Sequence, residues 1–234
     1  MASASEVTIG AKVTNAEKIS TNLKAFAGYA PSDAALTTSE LDNLITKTKT
    51  KNTEATSAAQ DYSAAVDTRQ KLFQKDSNSL IKVLSPIGAT VRSSLGKTSK
   101  EANDIAAMIT KIRGVKVKKD TKEPKAEFVS QSERSYGSMT QNFSDMITTL
   151  NKYGAKYAPV NADILLATLQ TKLTDLTASN IAVTATYGQL KEKRDDRSEL
   201  YKTLTDITQR IKDAVKGQYG LKSTEYNLIK GIKV

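Results

Sequence analysis

The chain has no cysteine and no histidine. Without thiols there is no disulfide and no thiolate zinc site. Without imidazole there is no Ser-His-Asp triad, no Cys-His dyad, no histidine-ligated transition metal and no histidine-held haem. Tryptophan is also missing, aromatics amount to 6 % and apolar residues to 38 %. A core drawn from such a chain is thin, filled by Ala, Leu, Ile and Val rather than by large rings. Apolar runs such as Ile164-Leu165-Leu166-Ala167 are short, far from the ~20 residues that cross a bilayer. This speaks against a membrane span and against a membrane-inserting helical toxin. Met1 to Gly10 is small and polar, so no signal peptide is expected. The cytoplasm is the expected address, and secretion without a recognisable leader is the other.

Phosphate loops of the GxGxxG or GxxxxGK[ST] type are lacking, as are EF-hand loops. Di-iron bundles need Glu-x-x-His, which a chain without histidine cannot supply. No cofactor and no metal is expected. Asp195 and Asp196 are neighbours, and adjacent helical residues diverge by about 100°, so they do not form a carboxylate pair for acid–base work. What is left for catalysis is Ser, Thr, Tyr, Lys and carboxylate chemistry without a recognisable motif, including a Ser-Lys dyad assembled in space. The expectation is a protein that is not an enzyme.

What is present is basic and repeated. Lys and Arg number 35 against 25 Asp and Glu, a net charge of +10. Residues 1–117 hold 16 cations against 11 acids, and residues 118–234 hold 19 against 14. The surplus therefore belongs to both halves and not to a tail. Such a balance draws anionic partners by long-range attraction. Only seven of the cations are Arg, the residue suited to base readout and phosphate clamping. Interspersed Lys reads first as solvated helix faces. The nine Tyr suggest a stacking platform for single strands, but Tyr62, Tyr136, Tyr153, Tyr187 and Tyr201 fall on apolar seams, where rings belong to a core.

Tyr29-Ala30-Pro31 returns as Tyr157-Ala158-Pro159, 128 positions later. In the same register Leu41 meets Leu169, Asn52 meets Asn180, Asp67 meets Asp195, Arg69 meets Arg197 and Phe73 meets Tyr201. After a few residues are dropped, Ser94–Asn103 echoes Gln218–Asn227, and Arg113-Gly114-Val115-Lys116-Val117 echoes Lys230-Gly231-Ile232-Lys233-Val234. The organisation expected is residues 1–117 as repeat one, a charged linker at 118–128, and residues 129–234 as repeat two.

Helix is the only sustained pattern. Tyr136, Met139, Phe143, Met146, Leu150 and Tyr153 alternate three- and four-residue steps. Their counterparts are Ile19, Leu23 and Phe26, after a candidate cap at Thr14-Asn15. Pro31 and Pro159 close these helices by excluding the helical conformation from the preceding Ala. A long helix follows in each repeat, running from Leu41 to Phe73 and from Leu166 to Leu204. About 38 residues make a rod on the order of 55 Å. Asn52 and Asn180 interrupt its seam at equivalent places, where a polar residue costs stability but sets register. The rod is expected to break afterwards, with Asp76-Ser77-Asn78 as a cap and Pro86 as a helix breaker. A third helix ends near Gly96 or Gly217. A fourth starts at Ser99 or Ser223 as N-cap, and is curtailed in repeat two. The 28 Thr are unusual in a helical chain, because a branched β-carbon restricts χ1.

The fold expected is all-α: two tandem pseudo-repeats, each a small bundle of three to four helices around one long helix. Asp67-x-Arg69 and Asp195-Asp196-Arg197 place an acid and a cation on the seam in both repeats. A seam cation needs a partner, so Asp67, Arg69, Asp195 and Arg197 are read as structural ion pairs, with an anion pocket around Arg69 and Arg197 as the functional reading. The Tyr-Ala-Pro, Asp-x-Arg and closing Gly-Val-Lys-Val and Gly-Ile-Lys-Val motifs resemble those of an uncharacterised family of tandemly duplicated helical-bundle bacterial proteins. The resemblance implies a duplicated bundle and brings no activity, site or ligand. The function expected is a helical scaffold for a protein partner or for self-association. The alternative is a non-specific binder of nucleic acid or another polyanion through basic helix faces, whose affinity falls steeply with salt.

Overall fold

A computed structural model describes residues 4–114 and 135–234. All regular structure among the described residues is helical, and none is strand, as the periodicity leads one to expect. Val115-Lys116-Val117 and the 118–128 linker lie outside the described residues.

The helices are α1 (Ala4–Ala25), α2 (Thr38–Gln70), α3 (Leu80–Leu95), α4 (Lys100–Arg113), α5 (Tyr136–Lys152), α6 (Leu166–Tyr219) and α7 (Thr224–Ile229). Single 3₁₀ turns at Ala34–Leu36 and Ala162–Ile164 precede α2 and α6, and a π-helical segment, Lys71–Lys75, ends α2. Thr14-Asn15 is not a cap, because α1 begins at Ala4. The Thr14 hydroxyl bonds back to the Gly10 carbonyl at 3.3 Å, and the Asn15 amide donates to the Lys233 carbonyl at 2.7 Å. The same back-bonding serves other threonine hydroxyls. Thr46, Thr48, Thr50, Thr53 and Thr56 each donate to the carbonyl four residues earlier, so α2 satisfies its own hydroxyls.

The Tyr-Ala-Pro loops are held alike in both repeats. Tyr29 Oη donates to the Leu36 carbonyl at 3.0 Å, and Tyr157 Oη to that of Ile164 at 2.8 Å. Asp33 and Asn161 cap the following 3₁₀ turns, each accepting from the backbone N–H two residues on at 2.9 Å.

The repeats part company at the end of the long helix. In repeat one the helix stops at Asp76, and Ser79 starts α3, with Pro86 accommodated inside it. In repeat two the break expected after Leu204 is absent: α6 runs 54 residues to Tyr219, just past Gly217. The sequence offset falls from 128 to 124 across this point. Loss of four residues is close to one helical turn, so the apolar stripe keeps its phase and the helix continues through Leu204, Ile211 and Val215, all buried.

The chain divides into two compact units. Unit 1 is Met1–Asp61 with Tyr187–Val234, and unit 2 is Tyr62–Thr186. Each boundary falls within a repeat, so each unit draws on both. In unit 1, Ile19 and Leu23 of α1 and Leu41 and Ile45 of α2 share a core with Leu204, Ile211 and Val215 of α6 and Ile229 of α7. In unit 2, Phe73, Leu80, Leu84 and Ile87 share a core with Met139, Phe143 and Met146 of α5 and Leu169 of α6. Loop contacts follow the same rule: Tyr219 Oη donates to the Ala27 carbonyl at 3.0 Å, and Arg210 pairs with Asp33.

Two capping serines predict opposite outcomes. Ser99 Oγ accepts from the Ala102 N–H at 3.1 Å, so Ser99→Ala should cost about 1 kcal/mol. Ser79 also sits at a helix start, but its hydroxyl is buried and makes no hydrogen bond. Removing an unpartnered buried hydroxyl should leave stability unchanged or slightly raised. Urea melts of the two variants check this, and an equal loss in both would contradict it.

Candidate functional site

The Asp-x-Arg motifs do not form the same contacts in the two repeats. Asp67 accepts from Lys71 at 2.7 Å and from Lys75 at 3.2 Å, and these hydrogen bonds hold its carboxyl below the usual range. Its partners are the lysines four and eight residues on, and not Arg69. Arg69 lies on the ring of Tyr136, 4.1 Å from its centroid, and Phe73 meets the same ring edge-on at 4.8 Å. The cation thus rests on the face of one aromatic ring, which Phe73 supports from the side. In repeat two, Asp195 is exposed, and it is the next residue, Asp196, that pairs with Lys51 of α2 at 3.2 Å. Lys193 reaches Glu54 at 3.5 Å on the same pair of helices. These partly exposed pairs are each worth little.

The two seam asparagines differ for a physical reason. Asn52 donates to Tyr201 Oη at 2.7 Å. Asn180 sits at the equivalent position, but the residue matching Tyr201 is Phe73, which has no hydroxyl to accept. Asn180 instead donates to Thr140 Oγ1 at 3.2 Å and toward the Tyr136 carbonyl at 3.5 Å, both on α5. In both asparagines the side-chain carbonyl oxygen is buried without a donor.

Arg197 is the site residue that ends in an open place. It lines a groove of about 880 Å³ in unit 1, together with Ile9 and Lys12 of α1 and Arg194, Ser198, Tyr201, Lys202, Thr205 and Asp206 of α6. The α6 residues recur at three- and four-residue steps, which puts them on one face. Lys12 Nζ donates to Thr205 Oγ1 at 3.1 Å. Among the described residues none of Lys12, Arg194, Arg197 and Lys202 is in an ion pair, whereas Asp206, the one acid, approaches Arg210 at 3.8 Å.

The contrast with unit 2 explains why the groove is open. The register that matches Ile19, Leu23 and Phe26 with Met146, Leu150 and Tyr153 also matches Ile9 with Tyr136 and Lys12 with Met139. Tyr136 covers Arg69, whereas the residue at its place beside the groove that Arg197 lines is the smaller Ile9. Arg194 and Lys202 correspond to Val66 and Gln74. Three of the four groove cations thus stand where the other repeat is neutral. The Asp-x-Arg motif singled out Arg197, but nothing in it pointed to Lys12, Arg194 and Lys202. The signal that finds them is the substitution pattern between repeats.

Among the described residues no helix is long and apolar enough to cross a membrane, and no group of three or more acids is placed to hold a metal ion. No protein-family profile, curated protein or solved structure matches the chain.

Proposed function

We propose that this chain is a non-enzymatic interaction protein, a helical scaffold that engages a protein partner through the groove on α1 and α6. The observation that carries this reading is a set of four cations around one open groove, none of them in an ion pair among the described residues. Three of them replace neutral residues at matching positions of the other repeat, so the packing common to both repeats does not require them. A groove of this kind binds by charge complementarity, which sets specificity and association rate. The alternative, a binder of nucleic acid or another polyanion, would use the same cations.

The test is affinity capture from the native host with two baits, the wild-type chain and an Arg194→Glu/Lys202→Glu variant. Both substituted residues are exposed, so the fold should be kept, as circular dichroism would show. A protein partner should be retained by the first bait and lost from the second. Identical captures with both would overturn the assignment of the groove.

A further inference from the structure

We propose that the groove in unit 1 takes an acidic, amphipathic segment of the partner protein, a helix presenting carboxylates beside apolar side chains. This rests on the interaction reading above and names the chemistry of its ligand.

The floor and the rim of the groove differ in character. Ile9 and the ring of Tyr201 form an apolar floor, with Tyr201 only 6 % exposed. Arg194, Arg197, Lys202 and Lys12 stand around it, none of them in an ion pair among the described residues, and the one acid of the lining, Asp206, approaches Arg210 instead. From Arg194 to Thr205 the face covers twelve residues of α6, about 16 Å along the axis, or three turns of a docked helix. Such a helix could lay apolar side chains on Ile9 and the aliphatic stems of the cations, while its acids meet two guanidinium forks and two ammonium groups.

The same features weigh against other occupants. A single strand of nucleic acid needs exposed rings for its bases to stack on. The one ring here is buried, and its hydroxyl already accepts from Asn52. A second copy of this chain carries +10 itself, so two copies repel at long range. The groove also differs from its counterpart in unit 2 in the direction an acidic ligand requires. The lid ring of Tyr136 gives way to Ile9, and neutral Met139, Val66 and Gln74 give way to Lys12, Arg194 and Lys202.

The experiment uses the full chain and a fluorescein-labelled helical peptide of about 15 residues with Glu and Leu on adjacent faces. Anisotropy is read at low and at physiological salt. Two further peptides replace Glu by Lys or Leu by Ser, and a single-stranded oligonucleotide is titrated alongside. One protein variant, Lys12→Met/Arg194→Val/Lys202→Gln, installs the residues found in the other repeat. A second, Arg194→Gln/Lys202→Gln, alters only exposed positions and guards against misfolding of the first. The wild type should bind the Glu/Leu peptide, and the altered peptides at least about tenfold more weakly. Losing two or three exposed ion pairs should weaken the variants by about tenfold. A folded variant that binds as well as the wild type overturns the proposal, as does no peptide binding at low salt. Tighter binding of the oligonucleotide than of the peptide overturns it in favour of nucleic acid. If capture depends on Arg194 and Lys202 while the peptide fails, the groove is the interface but its ligand has another chemistry. If both fail, the interaction reading itself falls.

Discussion

Raising the pH from 9 to 12 should unfold this protein, and two equivalent tyrosines should dominate the loss. Tyr29 and Tyr157 anchor the Tyr-Ala-Pro loops by donating to backbone carbonyls. Burial pushes each hydroxyl up from 10.0 to about 12, and neighbouring Tyr219 adds to the effect at Tyr29. A raised pKa means that the folded state holds its proton more tightly than the unfolded chain. That stability is complete below pH 10, where both states are protonated, and is lost as pH climbs through 12. Two pKa steps correspond to about 2–3 kcal/mol per tyrosine, against a total of about 5–15 kcal/mol for a domain. Tyr153 and Tyr201 are shifted up too, first by burial, and act in the same direction. Lys212 acts in the opposite one. Burial lowers its pKa, so its contribution improves with pH until the unfolded lysine has also lost its proton near 10.5. The urea midpoint should therefore hold or rise slightly to about pH 10 and then fall steeply. In Tyr29→Phe/Tyr157→Phe, two carbonyls lose their donors, costing about 1 kcal/mol each at pH 8. That deficit should shrink or reverse by pH 12. A flat midpoint through pH 12, or the same pH profile in both proteins, would contradict the assignment.

Phe73→Ala should be the most damaging single substitution in unit 2. Phe73 is fully buried among Leu80, Leu84, Ile87 and Phe143, and it supports the Tyr136 ring on which Arg69 rests. Phe-to-Ala changes in such cores cost about 3–5 kcal/mol, because the cavity left behind collapses only in part. Phe73 belongs to repeat one and Tyr136 to repeat two. The substitution should therefore speed amide exchange in α5 (Tyr136–Lys152) as well as in α3 (Leu80–Leu95). Exchange in α1 and in residues 201–215, which share the other core, should change less. Faster exchange confined to repeat one would mean that the repeats do not share a core.

Much of this was legible in the sequence. The three-four stripes located the helices, Ser99 and Ser223 were recognisable caps, and the Tyr-Ala-Pro pairs marked loops that turn out to be fastened alike. Three things were not legible. The first is the continuity of α6. A four-residue deletion looks like a gap in an alignment, yet it preserves helical phase and removes the break at Asp76–Ser79. The second is the partner of Asp67. The seam cation Arg69 seemed to need a carboxylate, but Lys71 and Lys75 lie closer along the helix, and the Tyr136 ring serves Arg69 instead. The third is which halves share a core. Two repeats with matching stripes offer each helix two equivalent surfaces, one in its own repeat and one in the other. Sequence periodicity is the same in both cases, so only coordinates distinguish them.

Exchange of halves between the repeats is the central claim, and a cut in the chain tests it most directly. A protease site placed within residues 118–128 separates repeat one from repeat two covalently. Each compact unit needs segments of both, so the two pieces should stay together after cleavage. Size exclusion with light scattering should give one species of the full chain's mass, with its helical circular dichroism intact. Two separately eluting, independently folded pieces of half that mass would contradict the account.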